Sequence, residues 1–343
     1  MPSVTAIIPV YNGAAHIEHA IASVAAQTVP VEQLIIVNDG STDHSSDAIA
    51  DAVSRYGGTL EIVVIDQPNG GQSAARNAAA AKATGDLLAF LDQDDLWHED
   101  HVRRLAPRFA TRPTLGFCYG DFDEVDGAGN WVVRRYLEAH EVPHPRSTIK
   151  QWIQSDTMVL PSATLVRRSA FEQVGGFDPM LIGYEDDDLW IRLFRAGFTS
   201  HYVRHSVTIF RVHAATSSTR ASFRESRVRF FHKIAGLLPD AAETRRYYVS
   251  DVLLPRLVRA ALGEYLANLR AGSDDDARAV AVTIDQMFAG TRSQLLGKTE
   301  RWALHHPRLV RFGLRWRRRM RSSLADRMNP GRRLRDGYDE WTV

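Results

Sequence analysis

From Val4 to Phe122, short and mostly apolar runs alternate with stretches whose apolar residues recur at helical spacing. Residues 4–10, 34–38, 60–66, 87–91 and 115–119 read as strands, and residues 14–26, 45–56, 73–83 and 100–110 as helices. In the first helix Ile17, Ala20, Ile21 and Val24 fall at core spacing, and Ser45 stands where it can cap the second. Strands apolar on both faces and separated by amphipathic helices indicate βαβ units, hence an α/β fold with a mostly parallel central sheet.

After Asp121 the rhythm breaks. The turn-forming residues 126–130 separate two short runs, 122–125 and 131–133, as in a hairpin. Pro143-His144-Pro145 marks an irregular loop, residues 163–166 a further strand, and 202–212 a closing strand. Short helices end at Gly175-Gly176 and at Gly197. Beyond Ala221 the strand signal disappears, and residues 223–238, 242–269 and 275–288 read as helices. The expected division is a domain over residues 1–220 and a helical appendage over 221–343, which suits 343 residues at roughly 150 per domain. Near the end, Leu309, Phe312, Trp316 and Met320 recur at helical spacing among seven arginines. That pattern fits either a basic amphipathic helix on an anionic membrane surface, through residues 301–335, or a solvated helix packed on the protein. No nucleic-acid-binding module is recognisable, so nucleic acid is not an expected partner.

Composition narrows the field. With 44% hydrophobic and 24% charged residues the chain is neither disordered nor polytopic, and its longest apolar run, residues 87–91, is far below the ~20 residues of a spanning helix. The N-terminal residues do not read as a secretory signal, so the expected location is cytoplasmic, with the tail as the means of peripheral contact at the inner face of the cell membrane. A single cysteine, Cys118, excludes an internal disulfide and a Cys-x-x-Cys motif. The net charge of +1 conceals an uneven distribution: residues 1–110 hold 14 Asp/Glu against 6 Lys/Arg, whereas residues 301–343 hold 12 Arg against 4 Asp/Glu. Such a split points to a metal or polar-ligand site early in the chain.

The polar irregularities of the first third fall at the ends of the expected strands: Tyr11-Asn12-Gly13, Asp39-Gly40-Ser41-Thr42-Asp43, Asn69-Gly70-Gly71 and Asp92-Gln93-Asp94-Asp95. In open α/β sheets those ends line the ligand crevice. Any one of these clusters also reads as a plain turn, but four of them facing one crevice do not. Carboxylates packed at the end of an apolar strand repel one another unless a cation or donor groups offset them, and a hard divalent ion bridging carboxylate and phosphate oxygens would do so. No Gly-x-Gly-x-x-Gly follows the first strand and no Gly-Lys-Ser/Thr is present, which removes the strongest markers of dinucleotide-binding and P-loop proteins.

The blocks Ile8-Pro9-Val10-Tyr11-Asn12, Val37-Asn38-Asp39-Gly40-Ser41-Thr42-Asp43, Gly71-Gln72-Ser73-Ala74-Ala75-Arg76-Asn77 and Phe90-Leu91-Asp92-Gln93-Asp94-Asp95 resemble the signature motifs of family 2 glycosyltransferases with the GT-A fold. So do Gly175-Gly176-Phe177-Asp178, Tyr184-Glu185-Asp186-Asp187-Asp188-Leu189-Trp190 and Phe210-Arg211-Val212-His213, in the same order. The resemblance covers roughly residues 3–218 and not the C-terminal third. It implies inverting transfer of a sugar from a nucleoside-diphosphate donor, with Mg2+ or Mn2+ as cofactor, to a saccharide or lipid-linked acceptor in cell-surface polysaccharide or glycolipid synthesis. It implies further that Pro9, Tyr11 and Asn12 line the donor pocket, that Asp39 meets the base ring, that Asp92 and Asp94 contact the ribose and the metal-bound diphosphate, and that Arg76 supports them. Asp94 or Asp95 is the implied ligand of the ion, with His213 beside it. UDP is the default nucleotide, with dTDP and GDP open. Asp186 is the implied catalytic base, with Glu185 and Asp187 as alternatives, because acidic residues in the first turn of a helix are also ordinary partners of its dipole. Trp190 reads as core or acceptor wall, and Trp97, Trp131 and Trp152 as places where a sugar could stack.

Two other readings compete. A nucleotidyltransferase making nucleotide-sugars would carry basic residues after the first strand, where Asn12-Gly13-Ala14-Ala15 has none. A non-catalytic sugar-nucleotide-binding scaffold at a membrane would not need Asp92, Asp94 and Asp186 together.

Overall fold

The computed structural model describes residues 1–212, 221–291, 293 and 295–313. They form two compact units, residues 1–149 with 157–212, and residues 150–156 with the described residues from 221 to 313.

The first unit opens with three βα repeats: β1 (Val4–Val10), α1 (Ile17–Ala25), β2 (Gln33–Asn38), α2 (Ser45–Tyr56), β3 (Glu61–Asp66) and α3 (Gln72–Ala80). There follow β4 (Leu87–Phe90), β5 (Leu96–Trp97), α4 (His101–Leu105), β6 (Leu115–Val125), β7 (Trp131–Val133) and α5 (Tyr136–Ala139), whereas α6 (Ile149–Ile153) falls, from Lys150 on, in the stretch that belongs to the second unit. The series closes with β8 (Thr164–Arg167), α7 (Arg168–Gln173), α8 (Glu185–Arg195) and β9 (Thr199–Arg211). The sheet runs β3-β2-β1-β4-β8-β6-β9-β5, with β7 paired to β6. β3, β2, β1 and β4 are mutually parallel, as are β6 and β9, while β8 enters antiparallel between β4 and β6. This is the α/β architecture that the alternation of strand and helix signals predicts.

Every residue of β1, β2 and β4 is buried, because helices cover both faces of the sheet. Pro9 fits inside β1 for a local reason. The Ile7 carbonyl accepts the Leu91 N–H and the β1–β4 register ends at Ile7, so Pro9, two residues on and facing the same side, has no ladder bond to lose. Cys118 is fully buried in β6, and burial pushes its thiol up to about 12.

Two expectations are corrected here. The strand expected to stop at Tyr119 continues to Val125 and is itself the first arm of the hairpin, whose turn is tied by Asp126 accepting the Ala128 and Asn130 N–H groups. The helix expected over 100–110 divides into α4 and a 3-10 turn at Ala106–Phe109.

The second unit holds α9 (Ala221–Leu237), α10 (Leu254–Ala271), α11 (Asp274–Phe288), α12 (Lys298–Leu304) and α13 (Pro307–Gly313). Phe230, Phe231, Ile234, Leu257, Val258 and Ile284 are among its buried residues. The helix expected over 242–269 is interrupted. A 3-10 turn at Ala242–Thr244 and a π-helical turn at Tyr248–Leu253 precede α10, with the Asp240 carboxylate accepting the Val249 and Ser250 N–H groups. Of the basic tail, Arg308 and Arg311 pair with Asp274. Trp316, Met320 and the arginines from Arg315 onward lie outside the described residues. Among the described residues no helix is long and apolar enough to cross a membrane.

Candidate active site

The strand order reverses between β1 and β4, and the carboxyl ends of β3, β2, β1 and β4 lie side by side, where an open α/β sheet presents its crevice. Side chains tie these ends together. Asp39, buried after β2, accepts hydrogen bonds from Gln67 Nε2 at 2.7 Å and from the Gly70 and Gly71 N–H groups at 2.9 and 2.8 Å, so its carboxylate fixes the loop leading into α3. Asn12 Oδ1 accepts the Thr42 N–H at 2.8 Å, and the Asn12 N–H donates to Ser41 Oγ. Gln93 pairs with the Tyr11 peptide in both directions, at 2.9 and 3.2 Å. Tyr11 stays 47% exposed at the end of β1, whereas Pro9 is buried within the strand.

An ionic cluster lies beside it. Arg76, on α3 and 1% exposed, donates to Asp92 Oδ1 at 2.5 Å, and its other terminal nitrogen faces Glu185 Oε1 at 3.5 Å. Gln72 Nε2 donates to the same Asp92 oxygen at 2.8 Å, and the Asp92 N–H donates to Ser162 Oγ at 3.1 Å. Burial opposes charge on Arg76, but Asp92, Glu185 and Asp186 outweigh it and raise its pKa above the ordinary value. Asp92 and Asp94 are half-buried, while Asp95 is buried and its Oδ1 accepts the Arg211 N–H at 3.0 Å. Burial, then the neighbouring charges of Asp92 and Asp94, push the Asp95 carboxyl well above the usual carboxylate range.

The four acidic residues that open α8 divide by environment. Glu185 is 14% exposed beside Arg76, and burial raises its pKa, although Arg76 opposes the shift. Asp187 is buried and accepts from Thr157 Oγ1 and N–H. Asp188, also buried, pairs with Arg192 at 2.6 Å. Asp186 is half-buried, and its Oδ1 accepts the Asp187 N–H at 2.7 Å.

Arg76 therefore brings Asp92 and the start of α8 to one centre. Asp39, Asn12 and Tyr11 lie along the adjacent strand ends. His213 is outside the described residues. Trp190 is core, stacked on Phe117 and donating to the Val159 carbonyl, and Trp97 and Trp152 are buried as well, whereas Trp131 is exposed beneath the Arg134 guanidinium. Sequence reasoning missed the parts played by Gln72, Gln93 and Ser162, whose partners lie 20, 82 and 70 residues away.

The acidic cluster suits a hard cation in its chemistry, with Asp95 Oδ2 buried and lacking a hydrogen-bond partner. Among the described residues no three His, Cys, Asp or Glu groups form a complete set of ligands, so phosphate oxygens would have to share the coordination.

The family model for glycosyl transferase family 2 matches residues 5–175. An uncharacterized glycosyltransferase of Rickettsia prowazekii is 30% identical over 227 residues, 64% of this chain and 67% of that protein. Another, from Nostoc sp., is 32% identical over 178 residues, 52% of this chain and 54% of its own length, so the chain spans about half to two thirds of these curated relatives. Among solved structures, S. aureus TarS 1-349 in complex with UDP is similar with a TM-score of 0.59 at 18% identity over 92% of both chains. The mannosyltransferase PcManGT of Pyrobaculum calidifontis, in complex with GDP-Man and Mn2+, gives 0.52 at 17% identity over 96% of this chain and 86% of its own.

Proposed function

The chain belongs to glycosyl transferase family 2, and we propose on that premise that it transfers a sugar, with inversion, from a nucleoside-diphosphate donor to an acceptor hydroxyl in polysaccharide or glycolipid synthesis. One observation carries the reading: a single buried guanidinium, Arg76, bonds Asp92 at the end of β4 and faces Glu185 at the start of α8. A donor-binding carboxylate and a candidate base thereby share one centre.

Asp186 is the base. Asp187 and Asp188 are buried and committed to Thr157 and Arg192, and Glu185 faces Arg76, which leaves Asp186 as the carboxylate of this turn suited to take a proton from an acceptor hydroxyl. The departing nucleoside diphosphate leaves as an anion and needs no proton donor, so one base suffices. Asp94, half-buried where Asp95 is turned inward, is the proposed ligand of a divalent ion, which when bound would offset the charge of the diphosphate. Tyr11, Asn12, Pro9 and Asp39 form the nucleoside side of the pocket. Three of the acceptor positions on the Asp39 carboxylate are taken by the 67–71 loop, which leaves room for one more donor, the N–H of a base ring. UDP and GDP are the nucleotides to test, since TarS and PcManGT are seen with UDP and GDP-Man.

The experiment is a screen of UDP-glucose, UDP-N-acetylglucosamine and GDP-mannose, with Mn2+ or Mg2+, for release of nucleoside diphosphate. Release that Asp186→Asn abolishes supports the reading. Release of pyrophosphate from nucleotide triphosphate and sugar phosphate would favour a nucleotidyltransferase, and no release from any donor would leave only a binding role.

A further inference from the structure

Asn77 follows Arg76 on α3, and its side-chain amide closes a two-way bridge to one residue of the turn between α7 and α8. Nδ2 donates to the Phe177 carbonyl at 2.7 Å, and Oδ1 accepts the Phe177 N–H at 2.9 Å. The approach requires glycine at the preceding position: Gly176 has φ +70°, and a Cβ there would stand 2.6 Å from Asn77 Oδ1. From the opposite side, Arg192 of α8 donates to the Val174 and Gly176 carbonyls at 2.6 and 2.7 Å while Asp188 holds its guanidinium. The Phe177 ring is fixed edge-on to Phe90 and Phe171, at 5.1 and 5.6 Å, with the Arg76 guanidinium 5.0 Å from its centre.

The turn at 174–177 is thus gripped by α3 and α8 together. The direct contact between Arg76 and Glu185, at 3.5 Å, leaves Arg76 Nη1 without a hydrogen bond. The close attachment of this turn to α3 is the Asn77 amide.

We propose that Asn77 is a positioning residue: by locking Phe177 to α3 it sets the first turn of α8, and with it the Asp186 carboxylate, relative to Asp92 on the donor side. The inference rests on the reading of Asp186 as base. A reacting group displaced by about 1 Å loses on the order of 100-fold in rate, so the bridge should matter for turnover and little for donor binding.

The test is a double-mutant cycle on the full chain with Asn77→Ala and Asp186→Asn, alone and combined. It reads kcat for nucleoside diphosphate release from the three nucleotide-sugars above, UDP and GDP affinity by calorimetry, and thermal unfolding. Asn77→Ala should lower kcat by about 10- to 100-fold with nucleotide affinity within about twofold. In the Asp186→Asn background it should lower kcat by less than about threefold further, because a group that acts through the base has little left to act on once the base is gone. A full-sized additional loss in that background, or a loss of nucleotide affinity matching the loss in kcat, overturns the proposal and makes Asn77 a residue of general stability. Undiminished turnover in Asp186→Asn alone refutes the base reading and the inference with it, and is recognisable as that failure because it does not involve Asn77. Should Asn77→Ala not fold, Asn77→Asp keeps the shape and the acceptor while losing the donor to the Phe177 carbonyl, and the same outcomes apply.

Discussion

Asp186 and Asp187 are adjacent carboxylates with opposite surroundings, and the difference is measurable. Asp186→Asn should reduce kcat by about 10²- to 10⁴-fold, the usual contribution of a positioned base, while UDP or GDP affinity in calorimetry stays unchanged. Asp187→Ala should instead lower the unfolding temperature, since it strips the buried Thr157 hydroxyl and N–H of their acceptor. His101 offers a separate reading of the interior. Its ring is fully buried, stacked 4.2 Å from Trp97, with Nδ1 on the Val207 carbonyl, and burial lowers its pKa to about 3. Between that value and the ordinary 6.5 the unfolded chain binds a proton that the folded protein excludes. Stability from this group is therefore present above about pH 6.5 and is lost as the pH falls, by about 1.4 kcal/mol per pH unit. In urea titrations between pH 7 and 4.5, His101→Phe should show a shallower decline than the parent protein. The sequence displayed the charged residues of the site plainly, as runs of Asp and Glu at strand and helix ends. It did not show which member of each run turns inward, because that depends on partners such as Thr157 and the Arg211 N–H, 30 and 116 residues away.

At the level of elements, α8 is both carrier of the base and clamp on the turn before it. Asp188 has no exposure and Arg192 little, so Arg192→Met would leave a carboxylate buried without its cation. That should cost about 3–5 kcal/mol, read as a lowered urea midpoint, and should raise proteolysis within residues 174–177. The βα repeats through α3 were legible because each strand is apolar on both faces and each helix keeps one apolar stripe. Elements decided by distant or irregular hydrogen bonds were not. The helical signal over 242–269 is genuine in composition, yet Asp240 captures the Val249 and Ser250 N–H groups and Pro255 has no N–H to donate, so the regular helix begins only at Leu254. The 122–125 run, similarly, looked like a separate strand because Gly120-Asp121 interrupts its apolar pattern. In the sheet, β6 passes through that point with a register shift against β9.

For the molecule as a whole, two predictions concern what it binds. Mn2+ should strengthen UDP or GDP affinity by about tenfold or more in calorimetry against an EDTA control, and Asp94→Asn should remove most of that gain. The basic tail is proposed as a contact with anionic lipid. Because Arg308 and Arg311 pair with Asp274, and Tyr265 donates to the Leu304 carbonyl, the fair truncation removes residues 314–343 and spares α12 and α13. It should abolish most co-sedimentation with phosphatidylserine vesicles, given about 1 kcal/mol per basic residue near such a surface, and undiminished sedimentation would assign the tail another role. The lone cysteine has a practical corollary. Its sulfur is sealed inside β6 and resists ionisation up to about pH 12, so the native protein should be silent toward maleimides. A cysteine installed at Met180, which is 60% exposed on the stretch leading to α8, would then be the sole labelled position, and a fluorophore there would report whether that stretch moves when nucleotide is added, without any background to subtract.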